Sequence, residues 1–83
     1  MSEVWILEEG EDYEGGRVLG VYGTKEAAFA DFAAQAASLH GRFSMGIDQA
    51  EQSADGSLRL HSGCDWLTLT PHAIITVPQI TQA

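Results

Sequence analysis

Four consecutive apolar residues, Val4-Trp5-Ile6-Leu7, set the first hydrophobic run of the chain, and Val18-Leu19-Gly20-Val21-Tyr22 sets the second. Glu8 to Arg17 lies between them, acidic and carrying Gly10, Gly15 and Gly16. Two β-rich runs around a polar, glycine-rich connection predict a hairpin. The pleat of a strand puts Val4 and Ile6 on one face, Trp5 and Leu7 on the other. Both faces are apolar, so one packs on a helix and the other is covered by later strands or left exposed.

The pattern then changes period. Thr24 has the side chain of an N-cap, and Glu26 adds a negative charge to the first turn, where the helix dipole favours it. Lys25 to about His40 is alanine-rich and free of Gly and Pro, which favours helix. Phe29, Phe32, Ala33, Ala36 and Leu39 or His40 recur at helical spacing and predict the buried stripe. Gly41 is placed to stop the helix at its C′ position.

Phe43 to Gln52 reads as an uneven strand, with Met45 and Ile47 around Gly46. Ala54-Asp55-Gly56-Ser57 is a turn signal, and Leu58-Arg59-Leu60-His61-Ser62 alternates as a half-exposed strand does. A turn at Ser62-Gly63 leads into Cys64 to Thr70, where Asp65, Leu67 and Leu69 oppose Trp66, Thr68 and Thr70. Pro71 interrupts, Ala73 to Val77 forms a final edge strand, and residues 78–83 form a frayed tail after Pro78. The whole chain, 1–83, reads as a single α+β domain. Its order is ββα followed by two to four antiparallel strands, with the helix packed on one face of the sheet.

Val4-Trp5-Ile6-Leu7-Glu8-Glu9-Gly10, followed by Gly20-Val21-Tyr22-Gly23-Thr24-Lys25-Glu26-Ala27-Ala28, resembles a group of small uncharacterised bacterial and phage proteins. These share an opening strand, a short acidic loop ending in tyrosine, a strand end of Gly-Val-aromatic-Ser/Thr type and a helix that starts with Glu and Ala. Gly63-Cys64-Asp65-Trp66-Leu67-Thr68-Leu69-Thr70-Pro71-His72 looks like the actinobacterial members. The likeness covers roughly the first 30 residues and rests on hairpin and helix-start signals. It implies the fold and carries over no activity and no site residue.

Charge narrows the possible partners. Twelve acids against four bases give the 83 residues a net charge of −8. Such a chain repels nucleic-acid backbone and anionic membrane, so a partner chosen by electrostatics is a protein with a basic surface. Cys64 is the single cysteine, which rules out an intrachain disulfide and suits a reducing compartment. The acidic start lacks the basic, then apolar, character of a signal peptide, and no apolar run is long enough to span a bilayer. The expectation is a cytoplasmic protein. A domain of this size buries only about 60–65% of its unfolded surface, so its stability is modest.

Five of the twelve acids fall within residues 8–14: Glu8, Glu9, Glu11, Asp12 and Glu14. They read as a solvated hairpin loop, as a docking surface for a basic protein, or as oxygen ligands for calcium, although the calcium-loop spacing is missing. Tyr13, an aromatic among charges, is of the type that anchors interfaces. Glu9, Glu11, Asp12, Tyr13 and Glu14 are therefore the candidate partner-binding residues. His61, Cys64 and His72 have an H-x2-C-x7-H spacing that suggests zinc, but only Asp65 or the distant His40 is available as a fourth ligand. Cys64 in a negative setting is a poor nucleophile and reads as a small buried hydrophobe. Trp5, Tyr22 and Trp66 read as core, or else as an exposed patch on the sheet face the helix leaves open. No motif of nucleotide, hydrolase or metalloprotease type is present. The sequence thus predicts a non-enzymatic binding module without cofactor. A homodimeric structural domain is the alternative, and a metal- or thiol-dependent protein a second one.

Overall fold

A computed structural model of the chain describes residues 3–43 and 50–74. β1 (Glu3–Glu11) and β2 (Gly15–Tyr22) pair antiparallel around a three-residue turn. The strands run well past their apolar bases, so the polar stretch expected as a connection from Glu8 to Arg17 is mostly strand. The cause is a third strand. β5 (Asp65–Ala73) pairs with β1 along its whole length, from Glu3 opposite Ala73 to Glu11 opposite Asp65, and holds the acidic residues extended.

On the far side of β5 lies β4 (Leu58–Ser62), and beyond it β3 (Glu51–Gln52). The sheet is antiparallel in the order β2-β1-β5-β4-β3. With α1 (Lys25–Phe43) it forms the α+β fold that the alternating and helical periods call for. The expected strand over Phe43–Gln52 is corrected where the span is described: Phe43 still belongs to the helix, and among the described residues of the span only Glu51 and Gln52 are strand. Met45, Gly46 and Ile47 lie outside the described residues. So do Val77 and the tail, 78–83, while β5 closes at Ala73.

Pro71 does not interrupt β5. It sits opposite Trp5 of β1, whereas β4 begins only at Leu58, opposite Leu69. Past that point no strand on the β4 side needs an N–H from residue 71, so the proline is locally an edge residue and is tolerated.

The helix starts as its sequence asks: the Ala27 amide donates to Thr24 Oγ1 at 3.2 Å. It does not stop at Gly41 but continues to Phe43, and a helical glycine costs only about 1 kcal/mol. Its buried stripe is Ala28, Phe32 and Ala36, spaced by four. Phe29, expected inside, is 41% exposed, and Ala33 is half-buried. The stripe meets Trp5 and Leu7 of β1, Leu58 and Leu60 of β4, and Leu67 and Leu69 of β5. Two alanines let the helix backbone come close to the sheet, and Phe32 fills the space between them. Each large side chain so buried stabilises by about 1.5–3 kcal/mol.

Two polar contacts fix the start of the helix on the sheet. Lys25 Nζ stands 5.4 Å from the Trp5 ring centroid, a cation–π distance. The Tyr22 hydroxyl donates to Asp31 Oδ2 at 2.7 Å and ties β2 to α1. That hydrogen bond raises the Tyr22 phenol above its ordinary pKa, with smaller contributions from desolvation and the Asp31 charge. A raised folded-state pKa gives stability that is complete below the unfolded tyrosine value and lost as pH rises through the folded one. The difference in unfolding midpoint between the wild type and Tyr22→Phe should therefore shrink as pH rises past about 10. A difference that stays constant across that range would show that the bond does not hold β2 to the helix.

Candidate functional site

The acidic residues gather at one end of the β1–β2 hairpin, but the structure gives them different work. Glu9 and Arg17 are cross-strand partners: Arg17 Nε donates to Glu9 Oε2 at 2.9 Å, and Nη2 stands 2.8 Å from the same oxygen as an ion pair. Glu8 is half-buried on the opposite sheet face, between Val18 of β2 and Thr68 of β5. Asp12 is bound twice to the neighbouring β4–β5 hairpin. Its amide donates to the Cys64 carbonyl at 2.6 Å, and its carboxylate meets His61 Nε2 at 2.9 Å. Asp12 is thus the peg that fixes one hairpin tip against the other.

Above that peg the chain turns sharply. The Glu14 amide donates to the Glu11 carbonyl at 3.1 Å, which makes Tyr13 the third residue of a tight turn. Its φ is 71°, the left-handed region that glycine or asparagine usually occupies. For a side chain with a Cβ this costs about 1–2 kcal/mol. Nothing in the fold repays it locally, because Tyr13 is fully exposed. Glu11 and Glu14 flank it, exposed and without an ion pair among the described residues.

The base of the turn is stiffened from the sheet face away from the helix. Gly10 of β1 lies between Gly16 of β2 and Trp66 of β5 in register. The Trp66 ring lies over both glycines, close enough that a Cβ at either position would press into it. Three strands are thereby held together just below the tip, where neither glycine has a side chain to contribute. Trp66 is accordingly neither a helix-side core residue nor a free stacking platform. Trp5 is core, and Tyr22 packs at its margin.

The structure does not bring His61, Cys64 and His72 together. His61 is opposite Trp66, and His72 lies six residues further along β5, about 20 Å away at the rise of a strand. His72 shares a 3.0 Å hydrogen bond with Thr70 Oγ1. Cys64, expected to be buried, is exposed at the β4–β5 turn, where the chain reverses between Ser62 and Asp65 and directs the side chain outward. Among the described residues no three His, Cys, Asp or Glu side chains are placed to hold a metal. No described helix is long and apolar enough to cross a membrane.

Of the five residues singled out from sequence, Glu11, Tyr13 and Glu14 point away from the body, whereas Glu9 and Asp12 are engaged within it. The His61–Asp12 contact spans 49 positions and had no local signature. The Trp66 cover had a faint one: two glycines placed symmetrically about a hairpin require something from a third strand to lie over them. No protein-family model matches the chain, and the comparisons with curated proteins and solved structures found no match.

Proposed function

We propose that the chain is a non-enzymatic protein-binding module that presents Tyr13, flanked by Glu11 and Glu14, to a basic surface of another protein. The observation that carries this reading is the cost of Tyr13: a fully exposed aromatic held at a φ of 71°. Strain of this kind persists where the surroundings impose it, and it concentrates at sites of function. Asp12 and Trp66 impose it here, so the turn is preorganised and little ordering entropy is lost on binding. Aromatic anchors dominate interface energetics, and flanking charges steer a partner of opposite sign. Glu9 and Asp12, engaged with Arg17 and His61, support the turn and are not its contact surface. The net charge of −8 disfavours nucleic acid and anionic membrane as partners.

The test is capture from a cell lysate with the intact chain as bait, using the wild type, Tyr13→Gly and the double variant Glu11→Gln/Glu14→Gln. Glycine at position 13 relieves the left-handed strain, so it is expected to stabilise the fold by about 1 kcal/mol while reducing capture at least tenfold. The charge variant is expected to weaken capture and flatten its dependence on salt. A more stable, less active Tyr13→Gly separates binding from folding. Capture unchanged in both variants, or no protein retained by the wild type, overturns the proposal.

A further inference from the structure

Among the described residues, β2 has a strand on one side only, since the sheet order places it at one edge and the two-residue β3 at the other. An eight-residue edge is long enough to template another strand, and proteins usually blunt such edges with proline, inward charges or a cover. β2 has no proline and one charge, Arg17. A bulge is its one irregularity, and the effect of that bulge is specific. Val21 pairs with Ile6, Gly20 with Leu7 and Val18 with Glu8, so Leu19 is the extra residue. Ile6 and Glu8 share a face, and Val18 and Val21 are therefore brought to that same face, away from the helix. Both are more than half exposed, at 53% and 59%.

Charge singles out the same edge. Residues 15–25 contain no acid and two of the four basic residues of the chain, Arg17 and Lys25, although twelve acids lie elsewhere. A second copy with a net charge of −8 meets least repulsion here.

We infer that two copies of this chain pair antiparallel through their β2 edges into one continuous ten-stranded sheet. The two-fold axis passes between Leu19 and Gly20. Side chains on one face must stay on one face across such an axis, and the bulge allows this. Val18 lies beside Val21 of the partner subunit, which makes an apolar row of four valines. On the helix-covered face, Arg17 lies beside Tyr22 of the partner subunit, with Asp31 of the partner subunit immediately beyond. Arg17 is able to serve both contacts: its side chain is 74% exposed, and the Glu9 bond uses only part of a five-donor guanidinium. Among the described residues Asp31 is bonded to Tyr22 through Oδ2 alone, which leaves its other oxygen to a cation. Each contact occurs twice, as a closed two-fold interface requires. The strands run in opposite directions, so the two Tyr13 turns stand at opposite ends of the joined sheet and neither is covered.

Light scattering coupled to gel filtration tests this on the intact chain. The wild type is expected at twice the chain mass. Val18→Lys/Val21→Lys sets lysine against lysine across the axis and is expected at the chain mass, with an unchanged circular dichroism spectrum. Arg17→Asp and Asp31→Arg are each expected to weaken the dimer, and the two together to restore it. A wild type that stays at the chain mass at the highest soluble concentration overturns the inference. So does a dimer indifferent to the two lysines, because it would use another surface. Failure of the charge swap to restore the dimer overturns the register.

Discussion

Replacing Phe32 by alanine is expected to remove about 3–5 kcal/mol of stability, which is the usual cost of deleting a fully buried aromatic side chain. A chain of 83 residues has about 4–12 kcal/mol in total, so one substitution consumes about a quarter or more of it. The size of the effect follows from the neighbours. Phe32 has no exposed surface and, among the described residues, is the one large side chain of the buried stripe, between Ala28 and Ala36. Neither alanine is able to move into the hole, and the leucines of β1, β4 and β5 are held in their sheet. At about 4–8 °C per kcal/mol for a domain of this size, the thermal midpoint should fall by roughly 12–40 °C. Phe29→Ala provides the control. That ring stacks on Phe32 at 6.3 Å between centroids but is 41% exposed, so its loss should cost about 1 kcal/mol, the worth of an aromatic pair. Calorimetry on the two variants decides the matter: equal effects would mean that the helix is seated on the sheet through a different face.

The contrast between Phe29 and Phe32 also shows how far the sequence can be read. An alanine-rich helix offers little polar contrast, so helical spacing admits both phenylalanines to the buried stripe, and only the sheet beneath decides between them. The helix start is different, because Thr24 acts on an amide three residues away and its signal is local. The class of the fold follows from equally local periods, whereas Val4 to Leu7 is apolar on both faces and only the helix above decides that Trp5 and Leu7 are the core side. What escaped depends on partners far away in sequence. Glu8–Glu11 read as loop because the strand that holds them extended, β5, lies more than 50 residues on. Cys64 read as buried because its type usually is, whereas its position at a hairpin tip is set by the pairing of Ser62 with Asp65. At the candidate site, the crowding of acids was plain from composition. Which acids are engaged and which are offered was not, because Asp12 is assigned by a histidine on β4 and Glu9 by the register of β2.

The second large effect is expected at the site's foundation and is best read as a cycle. Gly10→Ala puts a methyl group where the Trp66 ring and the Gly15 carbonyl already are. Overpacking of this kind costs about 1–3 kcal/mol. Trp66→Ala removes a half-buried indole that bridges three strands and leaves two facing glycines uncovered, which should cost roughly 2 kcal/mol, about half the loss for a fully buried tryptophan. The double variant should be less damaged than the sum, because the ring that the new methyl strikes is gone; contacting residues commonly couple by about 0.5–3 kcal/mol. The relief is only partial, since the Gly15 carbonyl remains. Additivity would mean that the ring does not lie on Gly10. The cycle bears on the proposed binding as well. Trp66 and Asp12 together hold the turn that keeps Tyr13 in its left-handed conformation, so Trp66→Ala should weaken partner capture although the indole lies below the turn and not at its tip. Tyr13→Gly and Trp66→Ala would then lose the same binding with opposite changes in stability, one by removing the anchor and the other by loosening what it stands on. An unstable Trp66→Ala that still captured its partner fully would show that the turn holds Tyr13 unaided.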